Sequence, residues 1–374
     1  MEQLNVEICD VTLRDGEQTP GVSFTCDEKL DIAGKLDMIG IDVIESGFPV
    51  VSEDERRCVK TIAGAGLSSR ICCLARAIRA DVECAISCDV DMVSIFIATS
   101  ELHVKHKYKK PRDVVLANAL EMVEFAKDHG LEVRFAAEDA SRTELDFLEK
   151  MYNEGIEHGA DLVSYADTVG FLTPMEIYQN IKKLASSVDG PLCIHCHNDL
   201  GFASANTITA AEAGAFQLHT TVNGIGERAG NAALEEVMAT LYLKHDIDRY
   251  DLSHINTLSH MVSEYSGIKV QKHKAVVGEH AFAHESGIHI AAMIEDNLTY
   301  EFVPPELFGR ERRFLLGKHS GKKAIKHIVE NYGYDLTDGQ IMRVLEEVKS
   351  KSQGKCCITR EVLCSIIRHI TEEE

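Results

Sequence analysis

Residues 162–197 read LVSYADTVGFLTPMEIYQNIKKLASSVDGPLCIHCH. Leu162–Ala166 is a short apolar run with the β-branched and aromatic content of a buried strand. Pro174–Ser186 carries a helical pattern, and Leu192–His197 is strand-like again. A strand, a crossover helix and a second strand make a unit whose strands lie parallel. Moving outward, the same rhythm recurs every 25–30 residues or so. The expected strands before this unit are Val6–Leu13, Val43–Gly47, Ile71–Arg76, Met92–Thr99 and Glu132–Ala137, and Gln217–Val222 follows it. Helical patterns over Asp27–Ile39, Glu53–Ala63 and Pro111–Asp128 fill gaps between them, and glycines such as Gly40, Gly64 and Gly214 stand at helix ends.

Eight such units, closing near Tyr242, predict an α/β fold, a (β/α)8 TIM barrel. An open doubly wound sheet is the competing arrangement. It is less attractive because no Gly-x-Gly-x-x-Gly follows the first strand. Gly224-x-Gly226 after the last strand reads as a sharp turn rather than a phosphate loop. The expected organisation is a catalytic barrel over 1–245, a linker or small subdomain over 246–310, and a helical C-terminal subdomain over 311–374. From Gly317 onward a helix-loop-helix is expected.

Composition narrows the function class. Across 374 residues there are 39 Lys and Arg against 60 Asp and Glu, a formal charge of −21, which argues against broad nucleic-acid binding. No apolar run approaches the ~20 residues of a membrane span, and the first residues do not resemble a signal peptide. The 12 cysteines, among them Cys72-Cys73 and Cys356-Cys357, lack the spacing of a disulfide framework or of a CxxC zinc site. Buried thiols in a reducing cytoplasm are expected.

Polar residues collect at the C-terminal ends of the strands, where barrels of this kind place their active sites. These ends are Arg14-Asp15-Gly16-Glu17-Gln18, Glu45-Ser46, Arg76, Thr99-Ser100, Arg134 to Asp139, Asp167-Thr168, His195-Cys196-His197 and Asn223. His195 and His197 alternate along a strand, so both imidazoles can face the barrel mouth. With Asp15 they make a two-histidine, one-carboxylate set for a divalent metal, although two strand histidines can also simply bond to neighbours. Asn231 could add an amide oxygen or cap the next helix. Arg14 would set a positive charge beside the metal or merely neutralise barrel carboxylates. Arg134 suits bidentate carboxylate binding or a structural salt bridge. Glu138 is a candidate acid/base or an ion-pair partner. The basic run Lys105-His106-Lys107-Tyr108-Lys109-Lys110, just after His103, could meet the phosphates of a coenzyme or be a solvated loop.

Asp10-Val11-Thr12-Leu13-Arg14-Asp15-Gly16-Glu17-Gln18 resembles the opening signature of the homocitrate and isopropylmalate synthase family. Glu45-Ser46-Gly47-Phe48-Pro49, His195-Cys196-His197-Asn198-Asp199, Asn223 to Asn231, His284-Glu285-Ser286-Gly287-Ile288-His289 and Leu316 to Gly321 resemble its later blocks, in order. The resemblance implies an acyltransferase that condenses acetyl-CoA with a 2-oxo acid, adds water and releases CoA. It implies a divalent metal (Mg, Mn or Zn) on Asp15, His195 and His197 with Asn231, a keto oxygen polarised by Arg14, and a pocket shaped by Gln18, Arg134 and Thr168. Glu138, His289 and Tyr300 match a group tied to enolisation and proton transfer. It also implies a homodimer in which the mainly helical C-terminal appendage reaches the neighbour's active site, so that His289 and Tyr300 act in trans.

Within the family, the chain most resembles the short homocitrate synthases of nitrogen fixation and of methanogen coenzyme B synthesis, with 2-oxoglutarate or longer 2-oxo diacids as acceptors. Its end at residue 374 leaves little expected room for a regulatory module. Leu74-Ala75-Arg76-Ala77 stands where lysine-pathway members show His-x-Arg-Cys, which argues against that pathway. Isopropylmalate or citramalate synthesis is the alternative, followed by a related acyl-CoA lyase, against which the His284–Tyr300 block speaks.

Overall fold

The computed structural model describes residues 4–353 and 358–372. The strands are β1 (Glu7–Asp10), β2 (Val43–Glu45), β3 (Arg70–Arg76), β4 (Met92–Ala98), β5 (Glu132–Glu138), β6 (Leu162–Asp167), β7 (Leu192–Cys196) and β8 (Gln217–Thr220). They close in chain order into a parallel barrel, sealed by β1 on β8 from Glu7 opposite Gln217 to Asp10 opposite Thr220. Around it run α1 (Cys26–Ile39), α2 (Glu53–Ala63), α3 (Arg79–Ser87), α4 (Arg112–Asp128), α5 (Leu145–Glu157), α6 (Pro174–Ala185), α7 (Ala203–Ala213) and α8 (Leu234–His245).

Local chemistry explains these boundaries. Ser52 caps α2 by accepting from Glu55 N at 3.0 Å, and Cys58, Val59 and Ile62 face inward. Thr173 and Glu176 form a capping box at α6, with Pro174 at its first turn. Gly40 ends α1 at φ 92°, a left-handed conformation that a Cβ would disfavour.

The barrel centre combines a small apolar layer, with Cys9, Val43, Cys72, Met92 and Cys193, and a polar column. At the strand starts Arg70 bridges Glu7 (2.5 Å) and Glu132 (2.7 Å). Gln217 donates to Glu7 at 2.7 Å and accepts from Arg134 at 2.6 Å. Arg134 then pairs with Glu45, Glu45 with Arg14, and Arg14 with Asp15 at the mouth. Buried charges need such partners.

Two compact units are present, Met1–Val270 and Gln271–Glu374. The first extends past residue 245, the expected end of the barrel domain, because a ninth helix, α9 (Ile255–Ser266), belongs to it. Ser259 and Asn223 exchange hydrogen bonds at 2.5 and 2.9 Å, and Leu258 and Val262 are buried. The second unit holds a two-stranded pair, β9 (Ala283–His284) with β10 (Arg313–Phe314), and α10 (Gly287–Glu295). It continues with α11 (Lys322–Asn331), α12 (Asp338–Gln353) and α13 (Arg360–Glu372). These last three helices share a core that includes Ile325, Val329, Val344, Val348 and Ile367. They form one helix more than the helix-loop-helix expected. All ten described cysteines are free thiols, and all but Cys26 and Cys364 are buried. Cys356 and Cys357 lie outside the described residues. Among the described residues, no helix is long and apolar enough to cross a membrane.

Candidate active site

β1 stops at Asp10, earlier than the expected Leu13, because the chain curls there. Thr12 N donates to the Asp10 carboxylate at 2.9 Å, and the Val11 carbonyl accepts from Arg14, Asp15 and Gly16. That turn sets Arg14 and Asp15 over the open end of the barrel. His195 lies in β7, whereas His197 lies one residue beyond it and is bridged to Asn231. The two histidines therefore do not both sit in the strand, yet they still converge.

His195 Nε2 is 3.2 Å from His197 Nε2 and 3.5 Å from Asp15 Oδ2. The candidate ligand atoms of these three buried residues all lie within 4.8 Å of one another. Metal bonds of about 2.1 Å place adjacent donors roughly 3.0–3.4 Å apart, so the set fits a divalent ion. The Nε2 atoms face one another and Asp15, while Nδ1 of both rings is buried with no hydrogen bond among the described residues. Asn231 donates to Asp15 Oδ1 at 2.9 Å and to the Ile225 carbonyl at 3.1 Å, which leaves its buried Oδ1 without a hydrogen-bond partner. That orphaned oxygen is what a fourth ligand would offer. Gly226 makes the approach possible, since a Cβ there would run into the Asn231 amide and lie 3.0 Å from Asp15 Oδ1.

Electrostatics favour the ligating forms. Burial, then His195, holds His197 down at about 4, so its imidazole is neutral near pH 7. Burial pushes the Asp15 carboxyl up, but the Arg14 guanidinium and His195 outweigh it and keep it well below the usual range. Glu45, fully buried, is likewise pushed up by burial and held down by Arg14 and Arg134.

A cavity of about 360 Å³ opens here, lined by Arg14, Asp15, Gln18, Arg134, Glu138 and Thr168 among others. His195, His197 and His219 also face it, with Leu74, Phe96 and Ala136 as apolar wall. Arg134 is buried and held by Glu45, Gln217 and, at 3.2 Å, Ser94, so it is both cavity wall and salt-bridge partner. Both Glu138 oxygens accept from Lys107 Nζ, at 2.5 and 2.7 Å. Thr168 Oγ1 accepts from Asp139 N at 2.8 Å, and its carbonyl accepts from Arg228 at 2.7 Å. Arg76 turns away to Asp81 at 2.7 Å.

Glu45, Gln217 and His219 carry no individual site role in the sequence, and Lys107 stands there only within the basic run that could meet coenzyme phosphates. Glu45 links Arg14 to Arg134, and His219 stands 3.0 Å from Gln217 with its ring centroid 5.5 Å from that of His195. Burial, then Arg134, holds His219 well below its ordinary value. The signal for Glu45 was its place at a strand end. His289 and Tyr300 lie in the second unit, with their rings stacked 3.9 Å apart at 17°.

Residues 5–262 match the family described as HMGL-like, and residues 276–355 match that described as homocitrate synthase post-HMGL domain-like. The chain is 53% identical over 373 residues to the homocitrate synthase AksA of Methanosarcina mazei, covering 99% of this chain and 92% of that one. It is 47% identical over 367 residues to the (R)-citramalate synthase CimA of Methanocaldococcus jannaschii, covering 98% and 75% respectively. Among solved structures it resembles the HMG-CoA lyase of Bacillus subtilis in fold, with a TM-score of 0.65 at 20% identity, over 72% of this chain and 97% of that one. The barrel, its two-histidine and carboxylate mouth, and these likenesses along the whole chain agree: the protein belongs to the HMGL-like family, in the branch of the homocitrate synthases.

Proposed function

We propose that the chain is a homocitrate synthase, which condenses acetyl-CoA with 2-oxoglutarate or a longer 2-oxo diacid and releases CoA. The observation that carries this choice is the likeness along 99% of the chain, at 53% identity, to a homocitrate synthase; the charges of the cavity fit an anionic acceptor. Arg14 and Arg134 are balanced by Asp15 and Glu45, Glu138 is paired with Lys107, and Arg228 with Asp199. Glu227 at the rim is exposed to solvent. A divalent ion beside the Arg14 and Arg134 guanidiniums would make this mouth suit an anionic 2-oxo acid.

In this reading Asp15, His195, His197 and Asn231 hold a divalent metal, Mg, Mn or Zn, which supplies Lewis acidity at the keto group. Arg14, fixed by Glu45 and Asp15, places a guanidinium where the keto oxygen gains negative charge. Glu138 takes the α-proton of acetyl-CoA, and the enolate carbon then bonds to the keto carbon. Water cleaves the thioester, the acyl carbon becomes a carboxylate and CoA leaves as the thiol. Lys107 donates to both Glu138 oxygens, which holds the carboxylate in place and leaves each oxygen a second lone pair for the substrate proton. Glu138→Gln is expected to lower kcat by about a hundredfold or more while KM for the 2-oxo acid moves less than about twofold. Unchanged turnover would remove Glu138 from this role.

His289 and Tyr300 act in trans in a homodimer, in the same proton-transfer group. Mixing inactive Asp15→Asn and His289→Ala subunits should restore part of the activity, and no recovery speaks against shared sites. The proposal places the enzyme in the cytoplasm, a compartment that its free buried thiols suit. The test of the function is CoA thiol release across 2-oxoglutarate, 2-oxoadipate, 2-oxoisovalerate and pyruvate. Fastest release with a diacid supports it; a preference for pyruvate or 2-oxoisovalerate overturns it.

A further inference from the structure

Glu138 ends β5, and its backbone is fixed from the end of the neighbouring strand: Thr99 N and Thr99 Oγ1 both donate to the Glu138 carbonyl at 3.0 Å. Only the carboxylate remains to be aimed. Lys107 donates to both of its oxygens, and His103 brings a further group, with Nδ1 3.5 Å from Glu138 Oε1. That Nδ1 is buried and has no hydrogen bond among the described residues. Closing the gap by about 0.5 Å would make one, and catalytic hydrogen bonds commonly tighten when substrate binds.

The other side of the ring decides which nitrogen carries the hydrogen. His103 Nε2 is 3.3 Å from Arg142 Nη2. A guanidinium offers only donors, so Nε2 accepts there, and in the neutral imidazole the hydrogen sits on Nδ1, facing Glu138. Arg142 is itself held, since its Nε donates to Asp139 Oδ1 at 2.8 Å. Asp139 is fully buried and accepts from Ser100 Oγ on its other oxygen, and Ser100 Oγ accepts from His103 N at 3.2 Å. Asp139 follows Glu138 directly at φ 63°, a left-handed conformation that Asp tolerates better than most residues. Ser100, Asp139, Arg142 and His103 thus form a closed circuit of contacts that presents one N–H to one edge of Glu138.

We infer that His103 is a positioning residue for proton abstraction, resting on the reading of Glu138 above: its Nδ1–H and the Lys107 ammonium occupy both lone pairs of Oε1, and Oε2 is the oxygen that takes the α-proton. Glu138 and Lys107 line the catalytic cavity, whereas His103 is outside its wall, so His103 acts through Glu138 and not on substrate. Two variants separate the N–H from the space that the ring fills. His103→Leu removes the donor and is expected to lower kcat about tenfold, with KM for acetyl-CoA and for 2-oxoglutarate each within about twofold of the parent. His103→Asn returns an N–H close to the place of Nδ1 and should recover most of that loss. In a Glu138→Gln background His103→Leu should cost less than about twofold more, because a residue that acts through Glu138 has nothing left to aim.

An unchanged kcat in His103→Leu overturns the inference while leaving the condensation intact. So does a raised KM for acetyl-CoA at constant kcat, which would mark a contact with the coenzyme. His103→Asn as slow as His103→Leu overturns the donor role, and a full tenfold further loss in the Glu138→Gln background overturns action through Glu138. Full turnover by Glu138→Gln alone is a different result, and counts against the reading of Glu138 as the base.

Discussion

His195→Ala is expected to lower bound metal to a small fraction of one ion per chain and to reduce kcat by about a thousandfold or more. Lewis-acid stabilisation of the developing charge contributes several kcal/mol, and each 1.4 kcal/mol or so is a factor of ten in rate. Two groups of the set remain in the variant, Asp15 and His197, with the Asn231 amide beside them. Two ligands and a weak amide hold a divalent ion poorly at pH 7. The barrel should survive, since His195 contributes an imidazole at the mouth rather than packing at the centre. Thermal melts of the metal-free parent and variant should therefore nearly coincide. Metal content by elemental analysis and turnover by thiol release read the two effects separately. A variant that keeps both its metal and its rate contradicts the assignment of the site.

The second large effect is on stability. Glu45→Ala removes the carboxylate that joins Arg14 to Arg134. Arg134 has 1% exposure in its side chain, so its charge cannot recover hydration by a small movement. Breaking a buried ion pair on one side typically costs about 3–5 kcal/mol, because a charge is left uncompensated. Gln217 and Ser94 still accept from Arg134, which places the expected loss toward the lower end of that range. Glu45→Gln keeps the shape and loses the charge, so it separates packing from electrostatics. Denaturant unfolding monitored on the barrel measures both. Equal stability of parent and Glu45→Ala would mean that Arg134 relaxes to water, contrary to its burial.

These two residues also show what was readable before the fold was known. His195, His197 and Asp15 announce themselves because metal ligation demands particular residue types at strand ends, and a barrel brings all strand ends to one rim. Glu45 shows only as a polar residue at a strand end; its pairing with Arg14 and Arg134, 31 and 89 residues away, is a tertiary fact. The helix Glu53–Ala63, capped by Ser52, is legible to the residue, and the helices capped by Thr25 and Thr173 to within one residue. The end of β1 was missed by three residues because Leu13 is apolar and buried in a turn as well as in a strand. The helix Ile255–Ser266 lies beyond the strand–helix rhythm, and its attachment through Asn223 and Ser259 is a tertiary fact. Lys107 was visible only as one charge in a basic run; its contact with Glu138 spans 31 residues.

The most direct test of the central claim is to follow carbon rather than thiol. The metal-loaded enzyme is incubated with acetyl-CoA carrying ¹³C in its methyl group and with unlabelled 2-oxoglutarate, and the products are read by NMR and mass spectrometry. The account predicts a tricarboxylate with a tertiary alcohol, homocitrate, labelled in the methylene beside that carbon, in amounts equal to the CoA released. Label recovered only as acetate, or in a condensation product only when pyruvate or 2-oxoisovalerate replaces 2-oxoglutarate, would contradict it.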